Sequence, residues 1–429
     1  MRKVLDSSRE WLLPWLIGVA LVWATAVPAR SAEPEPDEAP NEVHETADGG
    51  EQPATLYDLA NLPRKLRKVV FRAATYGKRR EPQKAVDLLA EHLRDHPDQD
   101  HYLLRLHLAQ NLADLGDKTL AKEHYRKAVR LEPQLDRGWL GLADTAYELE
   151  DFALAADAFA QGFRTSPEHP TQALYFAGAS YLMADQPAAA VDVFAELVSG
   201  DIAFPQLKWY RGLIIAAARL EEPARADTGV AQMIDAFPEE PEAWYLKYQH
   251  EAGRQNYHAA AVALQVVGFL RPLTSAENQQ LGDLYVVLGV PWLASREYAA
   301  AMGKAGKVEA GKVEEGKVEE WERLGSALIA AHETDQALAV LNEALAAQDS
   351  PRLWSLLGDI HYLRQEFGPA RAAFARVADT DSTGRALLME GYCALEQGES
   401  EAALDLLSRA TTFPDQADMA QRLLQRVVR

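Results

Sequence analysis

Residues 136–167 read DRGWLGLADTAYELEDFALAADAFAQGFRTSP, and this stretch holds the pattern that organises the chain. Ala155 is followed four residues later by Phe159, preceded twelve earlier by Ala143, and followed twelve later by Pro167. Working outward, small residues recur at Ala85, Ala121, Ala155, Ala190, Ala226, Ala260, Ala294, Ala337, Ala370 and Ala403, at intervals of 36, 34, 35, 36, 34, 34, 43, 33 and 33. Four residues after each comes a larger apolar side chain: Leu89, Tyr125, Phe159, Phe194, Val230, Leu264, Tyr298, Leu341, Phe374 and Leu407. Twelve residues before, the position is Ala or Gly in eight of ten cases, with Ile214 and Tyr248 the exceptions. Pro97, Pro133, Pro167, Pro238 and Pro272 fall twelve residues after, where a second helix is predicted to stop. Two antiparallel helices approach closely only where small residues let their backbones meet, and a bulky residue one turn on fills the gap. One hairpin cannot bury its apolar face alone, so successive hairpins are expected to stack.

With these residues the chain resembles the tetratricopeptide-repeat (TPR) proteins, whose pattern places Trp, Leu, Gly and Tyr on a first helix, then Ala, Phe, Ala and Pro on and after a second. The third repeat supplies Trp139, Leu142, Ala143, Ala155, Phe159, Gly162 and Pro167; the fourth, Leu174, Ala177, Gly178, Tyr181, Ala190 and Phe194. The seventh supplies Leu281, Gly282, Tyr285, Ala294, Tyr298 and Ala301; the ninth, Trp354, Leu357, Gly358, Ala370 and Phe374. The first, second and fifth repeats depart most, with Arg72 and Thr228 where apolar residues are expected. The resemblance implies an all-α, right-handed superhelical solenoid of about ten hairpins over residues 64–415. Residues 416–429 form a C-terminal capping helix, with Met419, Leu423, Leu424 and Val427 at helical spacing. It also implies a protein or peptide partner in a concave groove lined by first helices. The positions carried over are Arg137, Asp144, Tyr147, Tyr175, Arg211, Tyr245, Gln249, Asp283, Asp359, Tyr362 and Tyr392. The second-helix face is expected to carry mainly solvated charge. The stretch Trp244–Met302, around Leu281-Gly282-Asp283, is further similar to repeat proteins that accompany TonB-type energy-coupling complexes.

The ends and one junction follow different rules. Residues 1–31 combine Arg2, Lys3 and Arg9 with the apolar run Trp11–Ala29 and small residues at Ala24, Ala26, Ala29 and Ser31. This is the pattern of a cleaved export signal, or of an uncleaved anchor that attaches the chain to the inner membrane. Residues 32–63 are acidic and proline-rich with no Lys or Arg, and read as a disordered spacer. Charge then inverts: eight cations lie between Arg64 and Arg80 without one acid, on a helix with Leu66, Val69, Val70 and Ala73 at helical spacing. Within the long interval, GKVEA, GKVEE and GKVEE run in tandem from 306 to 320. This low-complexity insertion, residues 304–320, is expected to extend the seventh repeat's second helix or form a loop.

Composition excludes several function classes. The 64 acidic against 44 basic residues give a net charge of −20, which disfavours nucleic acid as a partner. A single cysteine, Cys393, rules out an intramolecular disulfide and any cysteine metal cluster. Nucleotide, zinc-protease and serine-hydrolase motifs do not occur, so neither catalysis nor a cofactor is expected. His92, His96, His101, His107 and His124 lie close in sequence and offer an alternative reading as a surface zinc or copper site, but no carboxylate–histidine pattern fixes its geometry, so a coincidental, mostly exposed set is expected. The sequence therefore predicts a periplasmic or otherwise exported, non-enzymatic scaffold for protein–protein interaction.

Overall fold

A computed structural model describes residues 62–303 and 316–427. Residues 1–31, where an export signal is expected, almost all of the acidic spacer and the first two GKVE pentamers lie outside the described residues. Among the described residues there are twenty-one α-helices and no strand. They divide into two compact units between Phe237 and Pro238.

The first unit contains five hairpins. These are α1 (Arg64–Lys78) with α2 (Pro82–Asp95), α3 (Tyr102–Asp114) with α4 (Lys118–Leu131), and α5 (Asp136–Glu148) with α6 (Phe152–Thr165). They continue as α7 (Thr171–Met183) with α8 (Pro187–Val198), and α9 (Leu207–Arg219) with α10 (Pro223–Ala236). The second unit begins with α11 (Pro241–Gly253) and α12 (Tyr257–Leu270), then α13 (Ser275–Val287) and α14 (Pro291–Met302). It goes on through α15 (Gly316–Ala330), α16 (Thr334–Ala347), α17 (Pro351–Leu363) and α18 (Phe367–Ala375). The last hairpin, α19 (Arg385–Glu396) and α20 (Ser400–Ala410), is followed by α21 (Pro414–Val427).

The register read from sequence holds at every repeat. All ten alanines are buried, and so are the ten larger residues four positions on. The close approach is visible at the glycines. A Cβ placed on Gly178, Gly282 or Gly358 would lie 2.8, 2.6 or 2.7 Å from the ring of Phe194, Tyr298 or Phe374 in the same hairpin. The next hairpin closes on the same ring: a Cβ on Gly212 would come within 2.4 Å of Phe194, and one on Gly141 within 2.4 Å of Tyr125. Phe194 thus ties its own hairpin together and also fastens the following one. Second helices stop at Asp95, Leu131, Thr165, Ala236 and Leu270, two residues before the five prolines.

The turn inside each hairpin repeats a feature that the sequence does not advertise. Five residues before every alanine the backbone is left-handed, at Arg80, Glu150, Asp185, Glu221, Gln255, His332 and Gln365, and at Gly116, Gly289 and Gly398. Seven of these ten are not glycine, so hairpin packing outweighs a local cost of about 1–2 kcal/mol at each.

Three expectations need correction. The third pentamer, residues 316–320, does not extend the seventh repeat's second helix but opens α15, the first helix of the eighth repeat. Val318 packs against the core there, which gives this pentamer a helical role. The closing helix starts at Pro414 and buries Ala420 and Leu423, while Met419 points outward. The second-helix face is not uniformly charged. Val262 and Phe269 of α12 and Trp292 of α14 are exposed, Phe269 to 86%.

Several substitutions test this packing by thermal or denaturant melting. Ala155→Leu should cost about 1–3 kcal/mol by overpacking, and Phe159→Ala roughly 3–5 kcal/mol through the cavity it leaves. Gly212→Ala gains about 1 kcal/mol of helix propensity but must push Phe194 aside, so a net loss is expected. Gly116→Ala meets no atom within 4 Å, so its loss of about 1 kcal/mol should report the backbone alone. Wild-type melting of Ala155→Leu and Phe159→Ala together would show that the register is wrong.

Candidate functional site

The candidate residues stand on first helices eighteen, fifteen, eleven or eight residues before the alanine of their repeat, positions that are buried in some other repeats, as at Val70 and Leu106. In the first unit Arg137, Asp144 and Tyr147 come from α5, Tyr175 from α7 and Arg211 from α9. Arg137 is exposed in the first turn of α5, and the other four are half-buried. The Tyr147 ring meets Phe152 edge-on at 5.5 Å. The Tyr175 ring is braced by Phe176 at 5.6 Å and Phe194 at 6.1 Å. Because Phe194 is the packing ring of its hairpin, the orientation of Tyr175 is fixed by the fold itself.

Charge is arranged around that ring. Lys208 Nζ lies 4.9 Å from the Tyr175 centroid, a cation–π distance. Burial raises the Tyr175 hydroxyl, an effect that Arg211 opposes and Tyr147 reinforces. Burial likewise lowers the Arg211 guanidinium, countered by Tyr175. Tyr147 and Arg211 therefore act on Tyr175 from the neighbouring first helices. Lys208 was not singled out in the sequence. Its signal was available, since it stands eighteen residues before Ala226 as Arg137 does before Ala155. Beside this row, burial and then the Glu148 charge push the Asp144 carboxyl up to about 6.

The second unit uses the same positions differently. Tyr245 sits 5.4 Å from Tyr248, Gln249 is exposed, and Tyr362 meets Tyr392 edge-on at 5.5 Å. The acids are engaged within the fold. Asp283 accepts a hydrogen bond from Tyr298 Oη at 2.6 Å and pairs with Arg323 at 3.3 Å. Asp359 pairs with Arg385 at 2.6 Å. With Glu322–Arg352 at 3.1 Å, these pairs link each first helix from α13 to α19 to the next. Asp283 and Asp359 thus hold neighbouring repeats in register.

The histidines are dispersed into separate local roles. His92 is half-buried, with its ring 5.0 Å from that of His96. His101 Nδ1 accepts the Leu103 N–H and caps α3. His124 lies 3.1 Å from an Arg105 guanidinium nitrogen, and burial with that charge lowers it to about 4. Among the described residues no group of three or more His, Cys, Asp or Glu side chains could hold a metal ion. Cys393 is fully buried, and burial raises its thiol to about 11, far from a reactive thiolate.

Comparison with known proteins follows the same geometry. The tetratricopeptide-repeat profile matches residues 106–170, 140–207, 322–384 and 366–418. A TPR repeat-containing protein of Pseudomonas aeruginosa is 34% identical over 70 residues, 16% of this chain and 67% of that relative. The chain belongs to the tetratricopeptide-repeat family. A solved tetratricopeptide-repeat protein from Parabacteroides merdae is 14% identical at a TM-score of 0.33, covering 62% of this chain and all of that one. The structure of Naa15/Naa10 bound to HypK-THB is 12% identical at a TM-score of 0.45, covering 84% of this chain and 60% of that one. In this tetratricopeptide-repeat protein the family's packing positions fix the hairpins, and what distinguishes the chain stands on the remaining first-helix positions.

The Asp144 environment gives a pH-dependent outcome. A carboxyl raised from 3.8 to about 6 in the fold contributes stability fully present below pH 3.8 and lost as pH rises through 6. At pH 7 its charge is therefore a burden. Asp144→Asn should raise stability there by about 1–2 kcal/mol, after allowance for solvent screening. The gain should vanish near pH 4. A gain that does not change between pH 4 and 7, measured by urea melts, would contradict the assignment.

Proposed function

We propose that this protein is a non-enzymatic, exported scaffold whose first unit captures an extended segment of a partner protein along its first-helix face. The row Tyr147, Tyr175 and Arg211, flanked by Lys208, supports this reading. Rigid aromatic rings supply contact area at little entropic cost, and the forked guanidinium offers donors to carbonyls or carboxylates. Phe194 behind Tyr175 pre-orients the ring, which lowers the cost of binding. Export is supported by the cationic, apolar and small-residue order of residues 1–31. In a Gram-negative cell this puts the scaffold in the periplasm, free or anchored to the inner membrane, serving envelope assembly, secretion or transport.

A narrower form of the same reading makes the protein an accessory subunit of a TonB-type system. It draws on the likeness of Trp244–Met302. Within that stretch Leu281 and Gly282 serve hairpin packing and Asp283 serves the ion-pair series, so the outward residues Tyr245 and Gln249 remain to contact such a partner.

Crosslinking and pull-down from native envelope identify the partner, and variants then locate its site. Tyr175→Ala with Arg211→Ala should weaken capture by about 2 kcal/mol or more while leaving the helical signal intact at the assay temperature. Substitutions at Asp192 and Gln232, exposed on second helices, should change little. Capture lost through the second-helix pair and retained by the Tyr175–Arg211 pair would refute the proposal.

A further inference from the structure

The first helix carries an exposed surface that neither packing nor capture uses. Leu66, Val70 and Ala73 turn inward on α1 and are buried. On the opposite arc Lys65, Lys68, Arg72, Lys78 and Arg79 are exposed. Among the described residues no carboxylate pairs with any of these five, although Lys84 just beyond is paired with Glu81 at 3.0 Å. Phe71 stands among them at 66% exposure, over a shallow recess rimmed by Arg67, Lys68 and Arg72. A large ring exposed beside Lys68 and Arg72 costs the isolated protein solubility and gives its own fold nothing. Elsewhere the chain does the reverse, since its net charge is −20 despite these cations.

We propose that the outward face of α1 docks on an anionic phospholipid surface. Two observations select a lipid surface over a soluble polyanion. Charge alone would satisfy a polyanion, whereas Phe71 gains by entering the interfacial layer between headgroups while the surrounding Lys and Arg side chains hold the phosphates. The chain also carries its own route to a bilayer, because the apolar run Trp11–Ala29 precedes Arg64 by fewer than forty residues. The strongly acidic remainder is repelled by the same surface, so contact is confined to α1 and the rest of the first unit is directed away from the lipid. This surface is distinct from the Tyr175 row, and the two can be tested separately.

The test is co-sedimentation of the full chain with phosphatidylcholine vesicles, with and without about 30% phosphatidylglycerol. Phosphatidylglycerol should raise the bound fraction, and about 0.5 M salt should abolish that increment. Lys65→Glu, Lys68→Glu and Arg72→Glu together should cut the increment at least tenfold, roughly as loss of three surface contacts requires. Phe71→Ser should reduce it about threefold with the same salt dependence. Binding independent of phosphatidylglycerol reports residues 11–29 and should be equal in all variants. Matched circular dichroism melts exclude unfolding, since every substituted side chain is exposed. The proposal is overturned if the increment is absent or survives charge reversal. It is also overturned if Phe71→Ser changes nothing, which is the polyanion outcome. An increment that emerges only after the acids of residues 33–58 are neutralised would instead assign the face to the chain's own acidic segment.

Discussion

A bulky side chain held between two small ones is the contact on which this structure depends. Phe194 shows it in full: Gly178 receives the ring inside the hairpin, and Gly212 receives it from the next. Burying such a ring is worth about 1.5–3 kcal/mol, but only if both backbones approach closely enough to leave no void. Hairpin closure and hairpin stacking are therefore one requirement, met by one residue. The same dual role explains why the left-handed turn persists at Arg80, Glu150 and Gln365 without glycine. Their strain of about 1–2 kcal/mol is smaller than what the clamp returns.

This contact also explains which features were legible in the sequence. Packing positions repeat about every 34 residues, so ten noisy copies reinforce one another and the alanine register is found without ambiguity. Gly282 and Tyr298 could be paired from spacing alone. The engagement of Asp283 and Asp359 could not, because their partners Arg323 and Arg385 stand in other repeats at positions without a shared spacing rule. A carboxylate on an outward position looks the same in sequence whether it meets solvent, a partner or a neighbouring guanidinium. The apolar outer face of α12 was missed for a related reason, since Val262 and Phe269 fit a buried stripe as readily as an exposed one. The third GKVEE pentamer was misplaced because its glycine argued for a helix end, whereas packing of Val318 favoured a helix start.

The two units put the same positions to opposite uses. In the second, pairs such as Arg385 with Asp359 neutralise the first-helix face and align successive repeats. Partly exposed pairs contribute little each, but three in series restrict how one first helix can slide on the next. In the first unit the equivalent face gathers Tyr175, Lys208 and Arg211, and leaves Asp144 half-buried with its carboxyl raised. The second unit sets its first-helix charges in pairs, whereas the first unit sets a cation against an aromatic ring. That contrast directs attention to α5, α7 and α9 as the surface for recognition.

Separation of roles along the first helix has a further consequence. The residue twelve positions before each alanine belongs to the clamp, and changing it disturbs two hairpins at once. Of the residues eighteen, fifteen, eleven and eight positions before, some lean on the clamp, as Tyr175 does on Phe194 and Asp283 on Tyr298, while others such as Lys208 stand farther out on the same helix. Because each repeat contacts mainly its neighbours, a change farther out remains local. Family membership follows from the first set of positions, and the second set is where members of the family can differ. A chain can therefore be read as a tetratricopeptide-repeat protein from its clamps alone, because the clamps recur at a fixed spacing and the other first-helix positions do not repeat in kind.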